Sequence, residues 1–210
     1  MKALRFIVGL LIVALIPGFT YAFFYLFTQT NLAHTPIIYF LIGITLAIFL
    51  WSLLGRKLRF LNTFLHELSH LMIGLFFLKI PSKFLATEDD GGVVEMYGNN
   101  FLIALAPYFC PVLCLLCLPL FFIVREDYLP LYFAVLGLLA GYHILLSIKD
   151  FSFVQSDIDK HGKVFSLTFV VFMGIINYGV ILGLVVDGFF GIADFFQNGI
   201  MTTVTIFGLM

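Results

Sequence analysis

The sequence predicts an all-α membrane protein, a bundle of about six transmembrane helices interrupted by one small β-hairpin. Three observations carry this expectation. Hydrophobic residues make up 62% of the 210 and charged residues only 11%, about half the charge that a water-facing surface needs. Phenylalanine alone occurs 27 times, more rings than a small soluble core can hide. The apolar residues also fall into blocks of about 20, the length that crosses a hydrocarbon layer of ~30 Å. The blocks do not alternate as barrel strands would, and helices satisfy their own backbone groups in lipid. A net charge of −1 offers no field for nucleic acid.

Taken in order, the first block runs from Leu4 to about Phe27 behind Lys2 and Arg5. It is too long for a signal-peptide core and has no small-residue cleavage site before Thr28, so it reads as a retained span. Further spans are predicted at about 36–55, 59–80, 100–124, 129–149 and 164–186. Polar joints separate them at Thr28 to Thr35, Gly55-Arg56-Lys57, Arg125-Glu126-Asp127 and Phe151 to Lys163. His34 and His161 fall in such joints and read as solvated or capping residues. The tail from Asp187 to Met210, broken by Gly188, Gly191 and Gly199, reads as a seventh, poorer span or an interfacial helix. The whole chain, 1–210, reads as one membrane domain whose chemistry-bearing core covers about 59–160.

Lys2 and Arg5 before the first span, with no Lys or Arg in the next joint, predict a cytoplasmic N-terminus. Alternation of six spans then puts Arg56, Lys57, Arg59 and Arg125 inside, and Lys79, Lys83, Lys149, Lys160 and Lys163 on the other side. The stretch Pro81 to Asn100 is polar. Phe84-Leu85-Ala86-Thr87 and Val93-Val94-Glu95-Met96-Tyr97 flank Glu88-Asp89-Asp90-Gly91-Gly92, which reads as a hairpin around an Asp-Gly turn or as an acidic solvated loop.

The third span contains His66-Glu67-Leu68-Ser69-His70. On a helix the two histidines sit one turn apart on one face, so both rings reach one ion, and the adjacent Glu67 can take a proton from a water. Zinc with three protein ligands lowers the pKa of that water toward neutrality. Each ionisable group at mid-bilayer costs about 2.5–3.5 kcal/mol, so three in one span demand a partner, and a metal supplies it. The competing reading is a polar cluster satisfied by helix–helix hydrogen bonds. Asn62 and Thr63 lie one turn before the motif, and Gly74 one turn after it.

A third ligand must come from elsewhere. In the fifth span His143, Ser147 and Asp150 share one helical face, which makes Asp150 the first candidate and Asp157 the alternative. The bland readings are a solvated helix-end carboxylate for Asp150 and a loop or helix N-terminal residue for Asp157. His143 would ligate directly or orient a ligand from behind. Cys110, Cys114 and Cys117 recur at helical spacing in one apolar segment and read as small buried hydrophobes. Asn177 and Tyr178 read as helix–helix hydrogen-bonding groups.

These features together resemble the site-2 protease group, the M50-type intramembrane zinc metalloproteases, and particularly its shorter bacterial members, over roughly Leu61 to Asp157. Phe64-Leu65-His66-Glu67-Leu68-Ser69-His70-Leu71 resembles the family's H-E-x-G-H helix with Ser69 where Gly is common. Gly91-Gly92-Val93 resembles the stretch that holds substrate as an added strand, and Ala104-Leu105-Ala106-Pro107-Tyr108 resembles an A-G-P segment with Ala106 for Gly. The family's N-x-x-P-x-x-x-L-D-G motif is absent. Asp150 matches its Asp by distance from Pro107, and Asp157 matches by distance from His70.

The resemblance implies a zinc cofactor, Glu67 as catalytic base, and His66, His70 and Asp150 (alternatively Asp157) as metal ligands. It implies His143, Ser147, Asn62, Gly92 and Val93 around the metal or the substrate, with Asn62, Thr63, Ser69, Asn99 and Asn100 lining a water-filled cleft. The substrate would be a membrane-spanning or membrane-associated peptide, the setting a bacterial inner membrane, and a regulatory membrane partner is compatible with it. The departures from the motif leave room for an inactive relative. Two other classes compete. A non-enzymatic ion path or assembly factor would use His66, Glu67, His70, His143 and Asp150 as a relay, although no paired halves are visible. A membrane zinc protease with a downstream Glu ligand would need Glu88, Glu95 or Glu126, none of which lies in a helical E-x-x-x-D.

Overall fold

The computed structural model describes residues 2–29, 35–55, 57–88, 91–98, 100–152 and 155–208. His34, Arg56, the Asp89-Asp90 turn pair and Asn99 lie outside the described residues. The chain forms α1 (Lys2–Gln29), α2 (Thr35–Leu54), α3 (Arg59–Phe76), β1 (Pro81–Ala86), β2 (Gly92–Met96), α4 (Phe101–Phe109), α5 (Val112–Cys117), α6 (Leu129–Asp150), α7 (Ser156–Asp159) and α8 (Lys163–Ile206). Single 3-10 turns at Leu118–Phe122 and Glu126–Tyr128 join α5 to α6. The fold is helical with one two-stranded antiparallel sheet, and Phe84 opposite Val94 fixes the hairpin register.

Four helices, α1, α2, α6 with its preceding turn, and α8, are long and apolar enough to cross a membrane. The predicted span over 100–124 is a bent pair instead: α4 and the helix from Val112 to Phe122 meet at 83°. The cause is Pro111. It has no N–H to give the Pro107 carbonyl four residues back, and it disfavours helical backbone at Cys110, whose ψ is 99°. The predicted span over 59–80 is not matched by a helix long and apolar enough to cross a membrane. The helix there stops at Phe76 after 18 residues and carries too much polarity to qualify, with Arg59, His66, Glu67 and His70 along it.

The sixth predicted span runs on as a continuous helix assignment to Ile206, but it is broken at Asp187 (φ −149°, ψ 34°) and Gly188 (φ 57°, ψ −135°). A straight rod of 44 residues would be roughly 66 Å long, twice the hydrocarbon thickness. The chain reverses instead. A Cβ on Gly183 would meet the Gly191 carbonyl, and one on Gly179 would meet the Phe195 ring; only a fold-back brings residues that far apart in sequence into contact. Glycines at the crossing let the two backbones touch, as small residues do where helices pack in lipid.

Among the described residues four helices, or five with the bent pair, are thus long and apolar enough to cross a membrane, fewer than the six expected; α3 is not among them, and α8 folds back at Asp187 and Gly188. α1 lies along both halves of α8, with Phe19 against Phe172, Phe195 and Phe196. α2 packs on α6. The core between these pairs is Ile37, Phe40, Tyr132, Phe133, Leu136, Ile181 and Leu184. Phe6, Leu10, Phe24, Ile48 and Phe49 point outward, the belt that a lipid solvent accepts.

With α3 not crossing, its polar face, the hairpin, the end of α6, α7 and the start of α1 all meet at one end of the bundle. Arg5 donates to the backbone carbonyls of Lys160 and His161, at 3.3 and 2.9 Å, and Phe121 lies beside Gly188 at the opposite end. This corrects the alternation. Lys79, Lys83, Lys149, Lys160 and Lys163 share the end of Lys2, Arg5, Lys57 and Arg59, while Arg125 is, among the described basic residues, alone at the other.

Candidate metal centre

α3 presents His66 and His70 one turn apart, with ring centroids 5.1 Å from each other. Facing them is α7, a single turn cut from the loop after α6, which carries Asp157. One ligand atom from each of His66, His70 and Asp157 lies within 4.8 Å of the other two; the His70 Nε2 to Asp157 Oδ2 distance is 3.7 Å. Donors at about 2.1 Å from a tetrahedral zinc stand roughly 3.4 Å apart. The His70–Asp157 pair is close to that spacing. Two imidazoles and a carboxylate, with a fourth side open to a cavity, match the donor set of an open zinc site.

The two rings are oriented by what their other nitrogens touch. His70 Nδ1 donates to the Ile103 carbonyl at 2.8 Å, which leaves Nε2 toward Asp157. That carbonyl is available because of Pro107: the residue four further on would normally donate to it, and proline has no N–H to give. Asn100 caps the same helix by accepting from the Ile103 N–H at 2.9 Å. His66 Nδ1 lies 3.3 Å from Asp150 Oδ2. Asp150, the first candidate for third ligand, thus sits behind His66 and outside the trio, where a carboxylate fixes tautomer and ring direction. Its position at the last turn of α6 brings it to His66 and leaves the reach to His70 to Asp157. Lys149 Nζ lies 3.9 Å from the other Asp150 oxygen.

Glu67 is 7% exposed and lies between the trio and the hairpin. The Val94 backbone lies beside its carboxylate and pulls its pKa down, so β2 runs along the site. Gly92 is pressed against the same side chain: a Cβ there would stand 2.8 Å from Glu67 Oε1 and closer still to Cγ. Burial raises the Glu67 carboxyl above the ordinary range, against the lowering pull of His66. Burial and the neighbouring His66 ring lower His70, which keeps it in the neutral form that a ligand needs. A cavity of about 340 Å³ opens here, lined by His66, Glu67, His70, Gly92, Val93, Val94, Met96, Ile103, Gln155, Ser156, Asp157 and Lys160.

Not every expected residue arrives. His143 and Ser147 stand at the helix break, away from the trio. Ser147 donates to the Pro107 carbonyl at 3.3 Å, the group that Pro111 orphans, while His143 pairs with the Tyr178 hydroxyl at 2.6 Å and with Ser147 at 3.4 Å. Asn62 accepts from Tyr142 at 2.5 Å and faces α6, and Ser69 bonds the Leu65 carbonyl; neither lines the site cavity. Cys110 and Cys114 are buried among apolar neighbours. Asn177 donates to the Phe109 carbonyl at the break, a helix–helix contact as read from the sequence.

One residue was missed. The Tyr108 ring stands edge-on to His66 at 5.7 Å. Its hydroxyl is buried without a hydrogen-bond partner, within electrostatic reach of Asp157, Asp150 and Glu67. A tyrosine directly after the proline that exposes Ile103 was the available signal.

A family model described as Peptidase M50B-like matches residues 37–198, and the chain belongs to that family. No curated protein and no solved structure matches it. The family is one of membrane metallopeptidases, and the helices that can cross a membrane agree with that setting.

Proposed function

We propose that this M50B-like chain is a zinc metalloendopeptidase that cuts peptides at the membrane face, with His66, His70 and Asp157 as metal ligands and Glu67 as general base. The observation that carries the reading is the convergence of the three donor atoms within 4.8 Å, each ring turned by a separate acceptor. A bound zinc would supply Lewis-acid polarisation of the scissile carbonyl and a water acidic enough to act near neutral pH. The chain's own residues do the rest. Glu67 accepts the proton of the attacking water and returns it to the leaving amine. Asp150 and the Ile103 carbonyl hold the two imidazoles in direction.

The free edge of β2 offers main-chain donors and acceptors to an extended peptide, which would add as a third strand beside Glu67. A transmembrane helix must unwind to be cut, and this edge compensates the hydrogen bonds that it loses. The Tyr108 hydroxyl, unpartnered and beside His66, is placed to donate to the oxyanion that develops on the carbonyl.

The same reading orients the molecule. Basic residues flanking spans stay in the cytoplasm, and among the described ones all but Arg125 lie at the end that carries the site. The centre would therefore face the cytoplasm, close beneath the membrane surface.

Metal analysis and single substitutions test this. Purified chain should carry one zinc, lost with Asp157→Asn and retained at reduced affinity with Asp150→Asn. Glu67→Gln should keep zinc and abolish cleavage of a membrane-embedded peptide. Zinc that survives Asp157→Asn but leaves with Asp150→Asn would reverse the ligand assignment, and protein that never holds metal would end the hydrolytic reading in favour of a non-enzymatic relative.

A further inference from the structure

We propose that Lys160 is a specificity-determining residue of the same site, whose ammonium pairs with an Asp or Glu side chain one or two residues from the bond that is cut. The substrates would then be peptides that are acidic beside that bond, an inference that deepens the peptidase reading and rests on it. The cavity at the metal centre has two unlike walls. One is β2 with Ile103, which offers main chain and the apolar side chains of Val93, Val94 and Met96. The other is α7 and its flanks, where Asp157 and Lys160 both line the space. Among the described residues that line it, Lys160 is the one Lys or Arg.

The root of this side chain is held on both sides. Lys160 keeps helical backbone as the cap of α7 (φ −57°, ψ −28°). Its N–H closes onto the Ser156 carbonyl at 3.1 Å, and its own carbonyl accepts from Arg5 at 3.3 Å. Asp157 and Lys160 are therefore three residues apart on one helical turn, where Cβ atoms stand about 5–6 Å from each other. A peptide lying extended along β2 advances about 3.4 Å per residue. A side chain one or two residues from a carbonyl at the metal thus comes level with Lys160, and the four-carbon stem of lysine covers the remaining gap. Charge decides which side chain is welcome there. Among the described residues no carboxylate lies within 4.0 Å of the side-chain nitrogens of Lys160 or Arg5. With a divalent ion on the trio, Asp157 and Glu67 formally cancel its charge, and Lys160 remains in excess. A carboxylate on the substrate neutralises that excess, whereas a Lys or Arg adds to it. Lys160 is exposed, so the pair is screened by water and its effect is about fivefold, the upper end for such a contact.

The full chain is assayed in phosphatidylcholine vesicles, which carry no net charge. The peptides have one transmembrane helix, both ends capped, and a juxtamembrane stretch in which one Gln after another is replaced by Glu or by Lys. Mass spectrometry reads the position of the cut, and initial rates give kcat/KM. Glu one or two residues from the cut should be favoured about fivefold over Gln, and Lys disfavoured by a similar factor. Lys160→Gln should bring the Glu-to-Gln ratio to about one, Lys160→Glu should invert it, and Lys160→Arg should keep it. Each ratio is taken within one variant, so a general loss of folded protein cancels. Binding of the same peptides to the Glu67→Gln chain, read by fluorescence anisotropy, repeats the comparison without turnover. Equal cutting of Glu and Gln peptides overturns the proposal and leaves the peptidase reading standing, and so does a preference that survives Lys160→Gln. An uncapped C-terminus that replaces the effect of Glu also overturns it, by assigning Lys160 to terminal carboxylates. Peptides that are never cut, yet bind about fivefold more tightly with Glu and lose that excess with Lys160→Gln, would end the peptidase reading and keep the acidic-peptide site. Absence of any preference in both cutting and binding ends the inference.

Discussion

Pro107→Ala is expected to stabilise the metal-free protein slightly while weakening its hold on zinc. Pro107 lies inside α4 and is buried. Alanine restores an N–H that can donate to the Ile103 carbonyl, and a proline in a helix interior costs about 3 kcal/mol relative to alanine. The smaller side chain gives back about 1.6 kcal/mol for two lost buried carbons, and more if a void remains. The net gain is about 1 kcal/mol or less. The new donor, however, shares the acceptor that now takes the His70 Nδ1–H at 2.8 Å. Losing the outer partner of a ligating histidine costs about 10–100-fold in metal affinity. A carbonyl has two lone pairs, so the loss should fall near tenfold, about 1.4 kcal/mol. Competition with a fluorescent chelator reads the affinity, and thermal unfolding of the metal-free protein reads the stability. Unchanged zinc affinity with a gain in stability would refute the idea that proline is there to present a carbonyl to His70.

Gly92→Ala places a methyl against the Glu67 side chain; zinc should remain bound while peptide cleavage falls about 100-fold, the scale of a 1 Å misplacement in a catalytic group. Tyr108→Phe removes a buried hydroxyl that has no partner, so the protein should gain up to ~1–3 kcal/mol of stability while turnover drops and KM holds, read by steady-state kinetics beside a melting curve. Arg5→Gln withdraws two donors from the carbonyls of Lys160 and His161; at about 1 kcal/mol for partly exposed bonds, zinc affinity should fall about fivefold through a looser Asp157, and an unchanged chelator titration would disconnect α1 from the site.

Much of this architecture is legible in the chain because lipid imposes long apolar blocks and the histidine spacing imposes a face. His66, Glu67 and His70 fall where a helix requires, and the hairpin forms where β-propensity flanks a Gly-rich turn. What fails is counting. The segment over 59–80 looks like a span by length, but its polar face is satisfied by lying against the hairpin and α4, and one lost crossing reverses the side assigned to every later basic residue. The third donor was undecidable for a related reason. Asp150 and Asp157 are both at plausible distances, and only the place where α6 stops and α7 turns decides which carboxylate meets His70. His143 reads as a ligand because its stripe is polar, yet Ser147 serves the carbonyl that Pro111 leaves bare and His143 pairs with Tyr178 on α8, needs set by contact between helices and invisible to spacing.

The clasp between Arg5 and the carbonyls of Lys160 and His161 joins groups 155 and 156 residues apart. During synthesis at about 5–20 residues per second, the first helix waits roughly 8–30 s for the loop that it will grip. In the later part of that interval, once residue 70 has been made, the nascent chain carries its two imidazoles and its glutamate, yet lacks the aspartate turn that completes the set. Translation thus passes through an incomplete set of donors, which closes only once the turn that carries Asp157 has been made, ahead of α8.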